Sequence, residues 1–340
     1  MTPPDLHPST DLARLAPAQP MPGQPMPAQP MPGQPMSGQP MSGQPMSGQP
    51  MPAHGAVQPP AQRGWRLRSF ARDRGALAAA IFLLLIAAAV VFAPVLSAYT
   101  PDEADNLARN APMGTAGHLL GTDQQGRDML ARLLYGGRVS LIVGVVPTIV
   151  AGLIGLMLGV VAGFFRGLAD QVIMRCLDVI FAFPMVLLAI AIAGAMRPGV
   201  LTEVIAITVV LIPYFARLAR TATDGVMPMP FIEAARAAGG SSFTILTRYV
   251  LPNVFSPVVV YATTLMGLMI VVGSGLSFLG LGVQPPTADW GAMVAEGRVV
   301  LRKASHVTVL PGILILVVSL AFNFIGDGIR DALDPRTIRR

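Results

Sequence analysis

Residue types that do chemistry are scarce in this chain, and their spacing removes most of the chemistry they could do. Cys176 is the single cysteine, so neither an internal disulfide nor a multi-cysteine metal site can form. His7, His54, His118 and His306 are scattered without HExxH or other ligand spacing, and no metal site is expected. Lys303, the sole lysine, follows Arg302, whereas a phosphate-binding loop needs Gly-Lys-Ser/Thr so that a lysine reaches the phosphates. ATP is not held here in that way, and any ATP-driven work falls to a partner. Asp123 and Asp128 could be read as an acid and a base, but neither metal ligands nor an apolar pocket accompany them in the sequence. Gly326-Asp327 lacks a second aspartate within another apolar run, and no serine in a GxSG context is matched by a histidine in one. No catalytic residue is expected.

One stretch does suit a task. Pro228-Met229-Pro230-Phe231-Ile232-Glu233-Ala234-Ala235-Arg236-Ala237-Ala238-Gly239-Gly240 is a polar island between two apolar runs, followed by Ser241 to Val250 and Leu251-Pro252-Asn253. The prolines suit a first helical turn, residues 231–238 are mostly strong helix formers, and Gly239-Gly240 supplies a stop. Ser241 or Ser242 can cap a second short helix running to the Leu-Pro. Ala234, Ala235, Ala237 and Ala238 make a thin helix body that a groove on another protein could approach closely, while Glu233 and Arg236 keep it soluble.

The elements around this island are membrane spans. Hydrophobic residues make up 53% and charged residues only 12%, with mean hydropathy +0.59, against about 25% charged in a soluble domain. The net charge of +6 comes from arginines flanking apolar runs, which membrane topology explains without nucleic acid. Residues 1–61 form a first region, with Gln-Pro-Met-(Pro/Ser)-(Gly/Ala) repeated seven times from Gln19 to Ala53. Such proline density forbids helix, and a disordered cytoplasmic tail with polyproline II character is expected, without the charged n-region and apolar core of a secretion signal. Residues 62–340 form the second region. Arg63, Arg66, Arg68, Arg72 and Arg74 precede the first run able to cross about 30 Å of hydrocarbon. Six spans are expected, at about 76–98, 139–165, 177–196, 200–218, 257–281 and 307–326, the fourth weakened by Glu203, Arg217 and Arg220. Six spans put both termini in the cytoplasm and place sixteen of the 24 Lys/Arg residues inside, whereas five would put the C-terminal arginines on the wrong face. In residues 118–138, Thr122 or Asp123 can cap a helix on which Asp128 and Arg132 stand at ion-pair spacing. Residues 273–282 are glycine-rich and apolar. They suit either a narrowing translocation path, with Gly273, Ser274, Gly275, Ser277 and Phe278 as candidate lining, or close helix packing through small residues.

Glu233-Ala234-Ala235, three residues, Gly239, and Leu251-Pro252 twelve residues on resemble the cytoplasmic coupling loop of permease subunits of bacterial ABC importers. Tyr249 stands where that pattern has an aliphatic residue, with Val250 beside it. Three further stretches, at 118–138, 275–291 and 321–336, resemble markers of the dipeptide, oligopeptide and nickel branch, specifically its subunit with a short outer loop. The resemblance implies an all-α, MetI-like permease in the bacterial inner membrane, with a coupling loop over about 219–252. Glu233, Ala234, Ala235, Arg236, Gly239 and Gly240 would meet the ATPase. It also implies a second related permease in a heterodimer or homodimer, two ABC ATPase subunits carrying ATP and magnesium, and an extracytoplasmic solute-binding protein. The permease itself would bind no cofactor. Di- or oligopeptide is the implied cargo, with nickel or another small solute as the alternative. A polytopic membrane enzyme or a receptor is the alternative from a different class.

Overall fold

Proline placement and capping residues set the helix boundaries in the computed structural model, which describes residues 73–333. The repeat tail, Arg63, Arg66, Arg68, Arg72 and the C-terminal stretch from Asp334, including Arg336, Arg339 and Arg340, lie outside the described residues. Asp73 caps α1 (Arg74–Val91) by accepting from the amides of Gly75 and Ala76. The run expected over 76–98 is interrupted, because Pro94 in the first turn of the short α2 (Ala93–Leu96) has no N–H and cannot continue the ladder. The carbonyls of Val90 and Val91 are taken up instead by the Arg138 guanidinium, each at 3.0 Å.

Asp128 caps α3 (Met129–Phe165), whose 37 residues make a rod of about 55 Å. The surface helix and second span expected separately are therefore one helix. The expected third span is two helices, α4 (Gly167–Phe181) and α5 (Met185–Ala195), bent by 84° across Ala182–Pro184. Ion pairs join α4 to a later helix: Asp178 accepts from Arg217 at 2.7 Å, Asp170 accepts from both ends of the Arg220 fork, and Arg217 lies over the Phe181 ring. These arginines belong to α6 (Val200–Val226). After α7 (Pro230–Ala237) and α8 (Ser242–Ile245), a π-turn (Leu246–Val250) leads directly into α9 (Leu251–Phe278). Leu251-Pro252 is thus no break: Leu251 N–H reaches back to Leu246, and the Asn253 amide donates to the Tyr249 carbonyl at 2.6 Å. The described residues end with α10 (Trp290–Gly297), a 3₁₀ turn (Arg298–Val300) and α11 (His306–Leu333). Among the described residues five helical runs are long and apolar enough to cross a membrane, and a sixth if the bent α4–α5 pair is one span.

The centre of the bundle is the seam between α3 and α6. Gly155, Gly159 and Gly163 stand at every fourth position of α3, where a Cβ would run into Phe215, the Ala216 carbonyl and Thr223. Small residues let the backbones approach, which is how helices associate where lipid is as apolar as leucine. α9 joins α11 in the same way, with Gly267 against Ser319, whose hydroxyl donates to the Gly267 carbonyl at 2.7 Å. By contrast, α1 buries only Ala76, Ala79 and Val90, and leaves Leu84 and Leu85 exposed on its outer flank. Ser277 on Glu203, Asp289 on Ser140 and His306 on Thr122 gather the starts of α3, α6 and α11 and the end of α9 at one end of the bundle, with the long loop before α3. At the opposite end are the α6–α9 connection and the contact of Arg220 with Asp170.

Candidate functional site

The α6–α9 connection carries the polar island. Pro230 occupies the first turn of α7, Glu233 lies near its start and Arg236 near its end, in the sense that complements the helix dipole. Ala238 ends the helix. The Gly239 N–H then bonds the Arg236 carbonyl and the Gly240 N–H the Ala235 carbonyl, with Gly239 at φ +79°, a left-handed closing turn. Both glycines have local reasons: any side chain at Gly239 is strained, and a Cβ at Gly240 would meet the Ala235 carbonyl oxygen at 2.8 Å. Ser241 caps α8 by accepting from the Thr244 amide at 3.2 Å. Glu233, Ala234, Arg236, Ala237 and Ala238 are exposed, and Ala235 is half-buried.

What roots this thin helix is Ile232, wholly buried in the core cluster that also contains Val226, Met227, Ile245, Val250 and Val254. Phe231 stacks on Tyr249, which explains an aromatic side chain where an aliphatic one was expected. Neither anchor was singled out from the sequence, though one isoleucine in an alanine-rich helix is the signal. The polar face is thereby presented on a body continuous with α6 and α9.

The path candidates divide. Gly275 and Phe278 lie on an exposed stripe of α9 with Thr264, Leu268 and Val271, spaced as one helix face. At Thr264 the stripe reaches a cavity of about 600 Å³ between α6, α9 and α11, lined also by Tyr261, Asp327 and Arg330. Gly273 and Ser277 point into the bundle instead: a Cβ at Gly273 would run into Val143, and the Ser277 hydroxyl donates to Glu203 Oε1 at 2.8 Å. Ser274 is half-buried, with Gly291 packed on its backbone. Both packing and an open face thus occur in the one segment. Glu203, a residue that weakens its span as read from the sequence, is completely buried beside these residues. A lone acid inside an apolar run was the signal for it.

The loop end is interlocked by charge. Asp123 Oδ2 accepts from Arg127 Nε and Arg132 Nη1, both at 2.6 Å, and both arginines also reach Glu296 Oε2, at 2.8 and 3.0 Å. Arg132 is 1% exposed. The i, i+4 pairing of Asp128 with Arg132 is not formed, because Asp128 turns its Oδ2 to the Ala131 amide and its Oδ1 to His118 Nδ1 at 2.9 Å. Burial pushes the Glu296 carboxyl above the usual carboxylate range; Arg127 pulls it down, but Asp123 shares the same guanidiniums. The motifs at 118–138 and 275–291 meet through Trp290, whose indole donates to the Leu133 carbonyl.

Residues 155–339 match the family described as binding-protein-dependent transport system inner membrane component. A glutathione transport system permease protein of Pectobacterium atrosepticum is 42% identical over 281 residues, 83% of this chain and 93% of that protein. The chain belongs to this permease family. Residues 60–112 also match the N-terminal transmembrane domain of oligopeptide transport permease C. A di/tripeptide transport system permease protein of Pseudomonas aeruginosa is 41% identical over 282 residues, 82% of this chain and 92% of that protein. An inward-facing structure of the MetNI methionine ABC transporter shares the fold, at TM-score 0.50 and 19% identity, over 61% of this chain and 98% of its own. The permease is accordingly a multi-pass inner-membrane subunit of an ABC transport system and not an enzyme, with ATPase and substrate-binding components on other chains.

Proposed function

We propose that this permease carries di- or oligopeptides inward, and that α7 is the element through which ATPase partners drive it. The observation that carries the reading is the rooting of α7: a small-residue helix with an exposed Glu233–Arg236 face, fixed by Ile232 to the core shared by α6 and α9. A push on that face is a push on two central helices, and closure of two ATPase subunits with ATP and magnesium would rock them as rigid bodies. Both termini are cytoplasmic in this reading, so α7 faces the cytoplasm and the loop end faces outward, where a solute-binding protein delivers cargo. Residues 1–61 are an extra cytoplasmic tail on a permease domain of residues 62–340. The exposed stripe of α9 faces a second, related permease across the path, and peptide is the cargo because the relatives that match along most of the chain are named for peptides and glutathione.

Affinity purification from the native membrane tests the coupling. The intact protein is expected to bring down a second permease and an ATPase, Glu233→Lys to keep the permease and lose the ATPase, and dipeptide uptake to vanish with it. Normal uptake and an unchanged ATPase complement in Glu233→Lys would overturn the reading.

A further inference from the structure

Four carboxylates are buried among the described residues, and three have both oxygens occupied. Asp123 is held by two guanidiniums and two amides, Asp128 by His118 and the Ala131 amide, and Asp289 by the Ser140 hydroxyl and the Ala292 amide. Glu203 is the exception. Its Oε1 accepts from Ser277, while its Oε2 is buried with no partner. An acid at membrane depth with one hydrogen bond is costly, and apolar packing would fill the same space more cheaply.

Its surroundings indicate what the acid does. The end of α9 closes in a left-handed turn, with the Gly280 N–H on the Ser277 carbonyl and the Leu281 N–H on the Leu276 carbonyl. That turn brings Gly282 back against the hydrogen bond, where a Cβ would run into both the Ser277 hydroxyl and the Glu203 carboxyl. One turn back along α9, Ser274 Oγ is likewise buried without a partner. Beside the buried Leu276, the polar part of the contact between α6 and the last turn of α9 is one hydrogen bond, two unsatisfied oxygens and a glycine. Such a joint closes tightly and parts easily.

We propose that Glu203 is a positioning residue that latches the outer end of the path, its bond to Ser277 clasping the last turn of α9 to α6 and parting when the two helices separate to admit cargo. The latch rests on the reading of α9 as a wall of the path. Gly275, on the exposed stripe two residues before Ser277 and with nothing within 4 Å of an added Cβ, is the place to watch it.

The test uses the complete transporter in proteoliposomes, with Cys176→Ser and Gly275→Cys, and a membrane-impermeant maleimide added outside. With the latch intact, labelling is expected when the ATPases are trapped closed by a non-hydrolysable ATP analogue and to be slow at rest. Removing one hydrogen bond of this kind shifts such an equilibrium about tenfold. Ser277→Ala and Glu203→Ala should raise resting labelling by that factor and raise ATP hydrolysis in the absence of binding protein. Glu203→Gln, which still offers Ser277 a carbonyl oxygen, should keep both low. If Glu203→Ala does not reach the membrane, Ser277→Ala carries the comparison. Resting labelling unchanged in the alanine variants, with trapped-state labelling retained, overturns the latch and leaves the path. Labelling in no state with the latch intact overturns the path reading and the latch with it.

Discussion

The two ends of the bundle are built on opposite principles. At the loop end, Asp123, Arg127, Arg132 and Glu296 are knitted into one buried network across chain segments about 170 residues apart, with His118 and Asp128 beside it. At the other end, α7 shows the solvent a row of small side chains and is held by one isoleucine and one aromatic stack. Buried charge networks fix geometry, because breaking one member strands the rest. A thin helix rooted at one buried side chain can be gripped from outside and passes the force to the core beneath it. The contrast suits the proposed function, in which the loop end is kept in register while force enters at α7.

The comparison is broken most severely by Asp123→Ala, which leaves two buried guanidiniums sharing one carboxylate, Glu296, with Gln125 as a neutral acceptor for Arg127. It should cost about 3–5 kcal/mol, seen as a lower melting temperature in detergent and a lower yield in membranes. Ile232→Ala comes next, at about 2–5 kcal/mol for a buried aliphatic truncation, and should loosen α7 so that uptake falls while membrane insertion persists. Gly239→Val sharpens the contrast. Forcing a side chain into φ +79° costs only about 1–2 kcal/mol, yet it misdirects the turn after α7 and should abolish uptake at nearly normal yield. Glu296→Gln has the smallest effect. The folded-state pKa of Glu296 is raised, so its contribution to stability is full below the ordinary glutamate range and is lost as pH rises through the raised value. The glutamine variant should show a flatter melting temperature across that window.

Much of this was legible from residue types. The helix, glycine turn and capped second helix of 230–245 follow from Pro230, the alanines, Gly239 and Ser241, and the apolar runs fall on the long helices, though α3 begins at Met129 and not at 139, and α11 runs on to Leu333 and not to 326. Most of what escaped depends on partners distant in sequence. The 177–196 run reads as one span because hydropathy is continuous through Pro184, yet the helix breaks there, Pro184 having no N–H for the ladder, and α4 then pairs through Asp178 and Asp170 with Arg217 and Arg220 of α6. Asp128 and Arg132 stand at the right spacing for each other, but Asp128 turns to His118 and Arg132 to Asp123, both in the preceding loop, and Arg132 also reaches Glu296 across the fold. Glu203 looked like a flaw in a span because its partner, Ser277, lies 74 residues on. Local rules decide elements and their breaks; non-local partners decide how they lock together.

The central claim is that force enters at α7 and not at the loop end. Photo-cross-linking in the assembled transporter tests it most directly, with the reactive side chain placed in turn at Arg236 on α7 and at Leu107, 99% exposed in the loop before α3. An ATPase adduct from position 236 and none from position 107 is the predicted result. An ATPase adduct from 107, or none from 236 in a transporter that still takes up cargo, would contradict it.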